Sequence, residues 1–177
     1  MNARLLEVLS ETEGARARLL AFAAALPESA FSARGETGGW SVGEVLHHLC
    51  RMEELVTSLV SRQAARGREK GIGPDRGGDS LLHSLDSFSI ETVSDRLTAP
   101  ESVAPQPGLG KEELLAMLRD SRARLRKALE DSSDVDLSRL QLPHPVLGRI
   151  DMYQWVLFIG KHEVRHLGQI ERIMAGT

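Results

Sequence analysis

Two segments of this chain carry their apolar residues in alternating steps of three and four, and histidines occupy three of those steps. The first stripe is Val45, His48, Met52, Leu55 and Leu59. The second is Trp155, Ile159, His162, His166, Gln169 and Ile173. That spacing follows one face of an α-helix, so each segment must bury this face against other helices. Both segments open with the same local signals. Ser41 with Glu44, and Asp151 with Gln154, make capping boxes, while Trp40 with Val45 and Ile150 with Trp155 form the flanking hydrophobic staples. His47 falls with Glu44, Arg51 and Glu54 on the polar face, so the spacing sets it apart from His48.

Two further helices complete the pattern. Leu5, Leu9, Leu19, Leu20, Ala23 and Leu26 mark a helix over residues 2–26, stopped by Pro27. Leu114, Leu118, Leu125, Ala128 and Leu129 mark another over residues 111–130, with Arg119, Arg122, Arg126 and Lys127 as its solvated face. Residues 66–110 are rich in Gly, Pro, Ser and charge. Residues 67–79 read as a mobile surface loop, and residues 90–97 as a short helix or extended piece. Pro100, Pro105 and Pro107 prevent a regular helix from there to Gly110. Residues 131–148 read as a loop containing Pro143-His144-Pro145. Four amphipathic helices with a long irregular connection between the second and third predict an all-α four-helix bundle, one domain over residues 1–177.

Composition narrows the function. A net charge of −3 gives no excess of basic residues to neutralise phosphates, so nucleic acid is not an expected partner. No apolar run approaches the roughly 18 residues that span a bilayer. Glu7, Glu11 and Glu13 interrupt any secretory leader, and the lone Cys50 forms no intrachain disulfide. A cytoplasmic protein without membrane partners is the expectation.

The histidines carry the chemistry. His162 and His166 lie four residues apart, hence on one helical face. With His48 on a facing stripe, three imidazoles can converge on one divalent ion. Left unpaired in a core, each would cost roughly 1–3 kcal/mol. Three protein ligands leave a position for water or substrate, the arrangement of a catalytic rather than a closed structural site. The alternative is a set of core histidines bonded to polar neighbours. The string His162-Glu163-Val164-Arg165-His166 also matches the metallopeptidase pattern H-E-x-x-H. That motif needs a third ligand downstream, and none follows. Glu163 is expected beside the seam, orienting a ligand or facing solvent.

The segment Trp40-Ser41-Val42-Gly43-Glu44-Val45-Leu46-His47-His48-Leu49 resembles the second-helix signature of the DinB-like (YfiT-like) metal-binding superfamily. The segments His144-Pro145-Val146-Leu147-Gly148 and Phe158-Ile159-Gly160-Lys161-His162-Glu163-Val164-Arg165-His166-Leu167-Gly168-Gln169-Ile170 resemble its C-terminal signature. The resemblance implies an up-down-down-up bundle and a nickel, zinc or similar ion on His48, His162 and His166. It implies frequent homodimers, and activities that include thiol-dependent S-transfer and maleylpyruvate isomerisation. The expected function is a metal-dependent enzyme acting on a small molecule, S-transferase-like with a low-molecular-weight thiol, or hydrolase-like. A non-catalytic metal-binding or stress-response bundle is the alternative, and a metal-free helical interaction domain a third. His144, Glu163 and Gln169 are candidates for groups that support the ligands. His144 could instead be a fourth ligand. Tyr153 and Trp155 read as packing, His47 and His83 as surface residues, Arg165 as a solvated charge, and Cys50 as inert.

Overall fold

A computed structural model describes residues 2–36, 38–91 and 100–176. Four helices dominate it: α1 (Ala3–Ala25), α2 (Val42–Glu69), α3 (Lys111–Asp131) and α4 (Met152–Ala175). The capping boxes form as the sequence predicts. Ser41 and Glu44 bond reciprocally at the start of α2, and Asp151 and Gln154 do so at the start of α4. Asn2 caps α1 by accepting from the Leu5 amide at 2.8 Å.

The topology is up-down-down-up, read from which residues meet. Asn2 reaches Tyr153 near the start of both helices, and Thr12 lies against Gly160 further along, so α1 and α4 run parallel. Gly43 faces Leu114 and Gly67 faces Val135, so α2 and α3 run parallel to each other; Lys111 at the start of α3 donates to the Ala24 carbonyl at the end of α1, so they run against the first pair. α2 therefore extends past its expected end. Gly67, expected to begin a surface loop, is a buried residue of its last turn. A Cβ there would stand 2.6 Å from Val135, so the glycine admits the chain that follows α3.

Residues 131–148 are not merely a loop. Strands β1 (Gln141–His144) and β2 (Gly148–Asp151) form an antiparallel hairpin leading into α4. The connection from α2 to α3 also adds to the core through Leu85, Ile90 and Val103, all buried. Of the expected element over residues 90–97, only Ile90 and Glu91 lie within the described residues.

Four charged side chains sit in the middle of the bundle, one from each helix: Arg16, Glu53, Arg122 and Glu163, none more than 5% exposed. Arg16 donates to Glu53 at 2.8 Å and to Glu163. Arg122 donates to Glu53 at 2.6 Å and to Glu163 at 2.9 Å. Arg16 also reaches the Leu118 carbonyl, Arg122 reaches the Thr12 carbonyl, and Ser121 donates to Glu53. This corrects two expectations: Arg122 is not on a solvated face, and Glu163 neither faces solvent nor orients a histidine. Buried charge is tolerable here because two cations and two anions cancel and most of their donors are used. Burial raises the carboxyl pKa of Glu163, against the pull of Arg16 and Arg122. Burial works against the charge of Arg16, but Glu163 and Glu53 outweigh it and raise the pKa.

Candidate metal centre

His48 comes from the second turn of α2, and His162 and His166 from the middle of α4. All three are buried. Their ring centroids lie 5.2 Å (His48–His162), 5.3 Å (His48–His166) and 4.4 Å (His162–His166) apart. One nitrogen from each can be chosen so that all three lie within 4.8 Å of one another. Nε2 of His162 faces Nε2 of His166 at 3.0 Å.

Neighbouring oxygens fix two of the rings. Nδ1 of His48 lies 2.9 Å from the Val103 carbonyl, and Nδ1 of His166 lies 2.7 Å from Oε1 of Gln169. A carbonyl oxygen only accepts, so both rings carry their proton on Nδ1 and present a bare Nε2. Burial pushes the pKa of all three rings down, and Arg165 reinforces this at each; His166 and His48 add to it at His162, His48 at His166, and His47 at His48. His166 falls to about 3. At neutral pH the site is three uncharged imidazoles, the protonation state a metal requires. This donor set fits a borderline divalent ion such as zinc or nickel and is poor for magnesium or calcium, which prefer oxygen. Nδ1 of His162 is buried and has no hydrogen-bond partner among the described residues.

Aromatic rings wall the histidines. Trp40 lies 4.7 Å from His48, and Phe158 stacks on His162 at 5.1 Å. The hairpin delivers His144 to the next position out, 4.6 Å from Phe158 and 4.9 Å from Trp155. Nδ1 of His144 accepts from the amides of Val146 and Leu147, each at 3.2 Å, so its proton resides on Nε2. Desolvation lowers the pKa of this ring to about 4.

The other candidates separate clearly. Gln169 holds His166, whereas Glu163 turns its Oε1 to Arg16 and Arg122 in the core charge cluster. His83 is exposed and bonds Asp86. Tyr153 packs as expected and also uses its hydroxyl, donating to Asp75 and accepting from Asn2, both at 2.9 Å. Cys50 is buried, and desolvation pushes its thiol pKa up to about 12, which keeps it protonated. His47 departs most from expectation. It is 3% exposed, and its Nδ1 accepts the Gln106 amide at 2.8 Å. The chain returning through Ser102 and Gln106 covers this part of the polar face of α2.

A cleft of about 360 Å³, lined by Arg4, Asp75, Arg76, Asp136 and Arg139 among others, includes none of the three histidines. Among the described residues, no helix is long and apolar enough to cross a membrane.

Comparison with known proteins agrees with this architecture. The family model for the DinB superfamily matches residues 11–170. The uncharacterized protein YuaE of Bacillus subtilis (strain 168) is 28% identical over 138 residues, covering 76% of each chain. No solved structure gives a significant match. With a family match across nearly its whole length, the chain belongs to the DinB superfamily.

Proposed function

We propose that His48, His162 and His166 bind one divalent ion, zinc or nickel, and that the centre serves a small-molecule reaction of the S-transfer or hydrolytic kind. One observation carries this reading: three neutral imidazoles from two helices converge within 4.8 Å, and two of them are held with Nε2 bare. When bound, such an ion supplies Lewis acidity, lowering the pKa of a water or thiol at its open position. The chain's own residues do the rest. The Val103 carbonyl and Gln169 fix ring orientation, Trp40 and Phe158 limit access of water, and His144 offers an Nε2–H donor beside Phe158. Cys50 supplies no nucleophile at its pKa, so a thiol in the reaction is a separate low-molecular-weight cosubstrate.

A second reading has its own support. All three ligands are at most 8% exposed, as expected if the ion mainly stabilises the bundle. In either reading the protein is a single domain, works in the cytoplasm as a homodimer and engages no nucleic acid.

Metal analysis of protein purified without a polyhistidine tag tests the centre. One equivalent of zinc or nickel is expected, and His162→Ala should abolish it. Unchanged metal content in that variant rules the assignment out. Turnover of a small thiol with a generic electrophile by the loaded protein then favours catalysis. A large metal-dependent rise in Tm without turnover favours the stabilising role.

A further inference from the structure

Residues 100–106 cross α2 beside His48, and side chains from just over one turn of that helix grip their backbone. His48 donates from Nδ1 to the Val103 carbonyl at 2.9 Å. His47 accepts the Gln106 amide at Nδ1, at 2.8 Å. Arg51 donates to the Ser102 carbonyl at 3.0 Å. The adjacent histidines thus adopt opposite tautomers. His48 must be protonated on Nδ1 to donate, and His47 must be bare there to accept. Val103 is fully buried in a single turn of 3₁₀-helix, Glu101–Val103, and anchors the crossing strap from beneath.

The orientation of a metal-binding histidine depends on the acceptor behind its second nitrogen. For His166 that acceptor is Gln169, three residues away on the same helix. For His48 it is a main-chain carbonyl 55 residues away, in a segment with no long helix or strand of its own. Something must hold that carbonyl in register. Arg51 holds the strap from the exposed side. His47 holds it from a buried position, where the Gln106 amide would be costly to leave unpaired.

We propose that His47 is a positioning residue for the metal centre: by accepting the Gln106 amide it fixes the strap, and the strap's Val103 carbonyl holds His48 with its Nε2 directed at the site. The inference rests on the metal-binding reading above. By linkage, an ion on His48 stabilises the strap as much as the strap favours the ion.

The test is a zinc titration against a chromophoric chelator, using the full chain and the near-isosteric pair His47→Leu and His47→Asn. Asn places an acceptor oxygen the same number of bonds from the backbone as Nδ1, whereas Leu has none. Folding of each variant is checked by far-UV circular dichroism. We expect zinc affinity to drop roughly tenfold in His47→Leu and to recover most of that loss in His47→Asn. The visible spectrum of the cobalt-loaded protein should shift in the Leu variant alone. In the wild type, zinc should slow hydrogen exchange of the Gln106 amide. Equal affinities in wild type and a folded His47→Leu overturn the proposal. So does a folded His47→Asn that binds as weakly as His47→Leu, since bulk would then matter and the acceptor would not. A wild-type chain that binds no zinc or nickel overturns the metal reading itself, which separates the two failures.

Discussion

Gln169 meets the histidine cluster through its amide oxygen, which accepts from Nδ1 of His166 at 2.7 Å. Gln169→Leu keeps the approximate volume and removes the acceptor. Zinc affinity, measured by chelator competition, is expected to fall roughly 10- to 100-fold with the helical content unchanged. The meeting of His48, His162 and His166, and the contact of Gln169 with His166, are legible in the sequence, because a polar residue on an otherwise apolar stripe demands a partner. The four charges of the core leave a similar trace in the sequence. Between Leu118 and Leu125 the stripe of α3 skips a step, and Arg122 fills it. Thr12 and Arg16 bridge Leu9 to Leu19 in the same way, and Glu53 bridges Leu49 to Val56. A charged residue in a helix reads as solvated by default, and its partners here lie on three other helices that no local pattern connects. The burial of His47 is hidden for the same reason, since the Gln106 amide it accepts lies 59 residues away.

Helix ends written into local chemistry were readable, as the two capping boxes show. The hairpin was not. Its strands have four residues each, one contains Pro143, and the alternation of side chains is too short to stand out. The hairpin carries His144 to Phe158. Close approach between helices is equally invisible from one helix alone. At Gly160, α4 meets α1 so tightly that a Cβ would lie 3.2 Å from Cγ2 and 3.3 Å from Cα of Thr12. Gly160→Val should force α1 and α4 apart and destabilise the fold by about 1–3 kcal/mol, read as a lower urea midpoint. Because Gly160 stands two residues from His162, a folded valine variant should also bind zinc more weakly.

Across the molecule, two sets of buried titratable groups govern stability. The histidines set its response to acid. An unfolded histidine titrates near 6.5, whereas burial keeps His166 neutral down to about 3, with His48 and His162 shifted in the same direction. Between those values the unfolded chain binds more protons, so stability rises with pH and is lost as pH falls below 6.5. Well below pH 6.5, each histidine held neutral contributes a slope approaching about 1.4 kcal/mol per pH unit. Urea melts of the metal-free protein between pH 7 and pH 5 should show this, with a shallower slope in His166→Leu. The charges set the response to mutation. Glu163→Gln leaves Glu53 alone against Arg16 and Arg122, and should cost about 3–5 kcal/mol by equilibrium unfolding. The bundle class was legible because four stripes of similar length have few ways to bury one another. The direction of each helix came only from family resemblance, because a parallel α2–α3 pair requires a long return connection whose path leaves no periodic signal.

The one-per-helix origin of the four core charges bears on how the molecule opens. Any three of the helices hold an unbalanced core: losing α1 or α3 leaves an excess anion, and losing α2 or α4 an excess cation. A state with one helix detached therefore strands a charge in a low-dielectric interior, which disfavours partial opening beyond the loss of apolar contacts. Slow-exchanging amides in the middle turns of all four helices should thus share one opening free energy, equal to that of global unfolding, and should not fall into separate cooperative units.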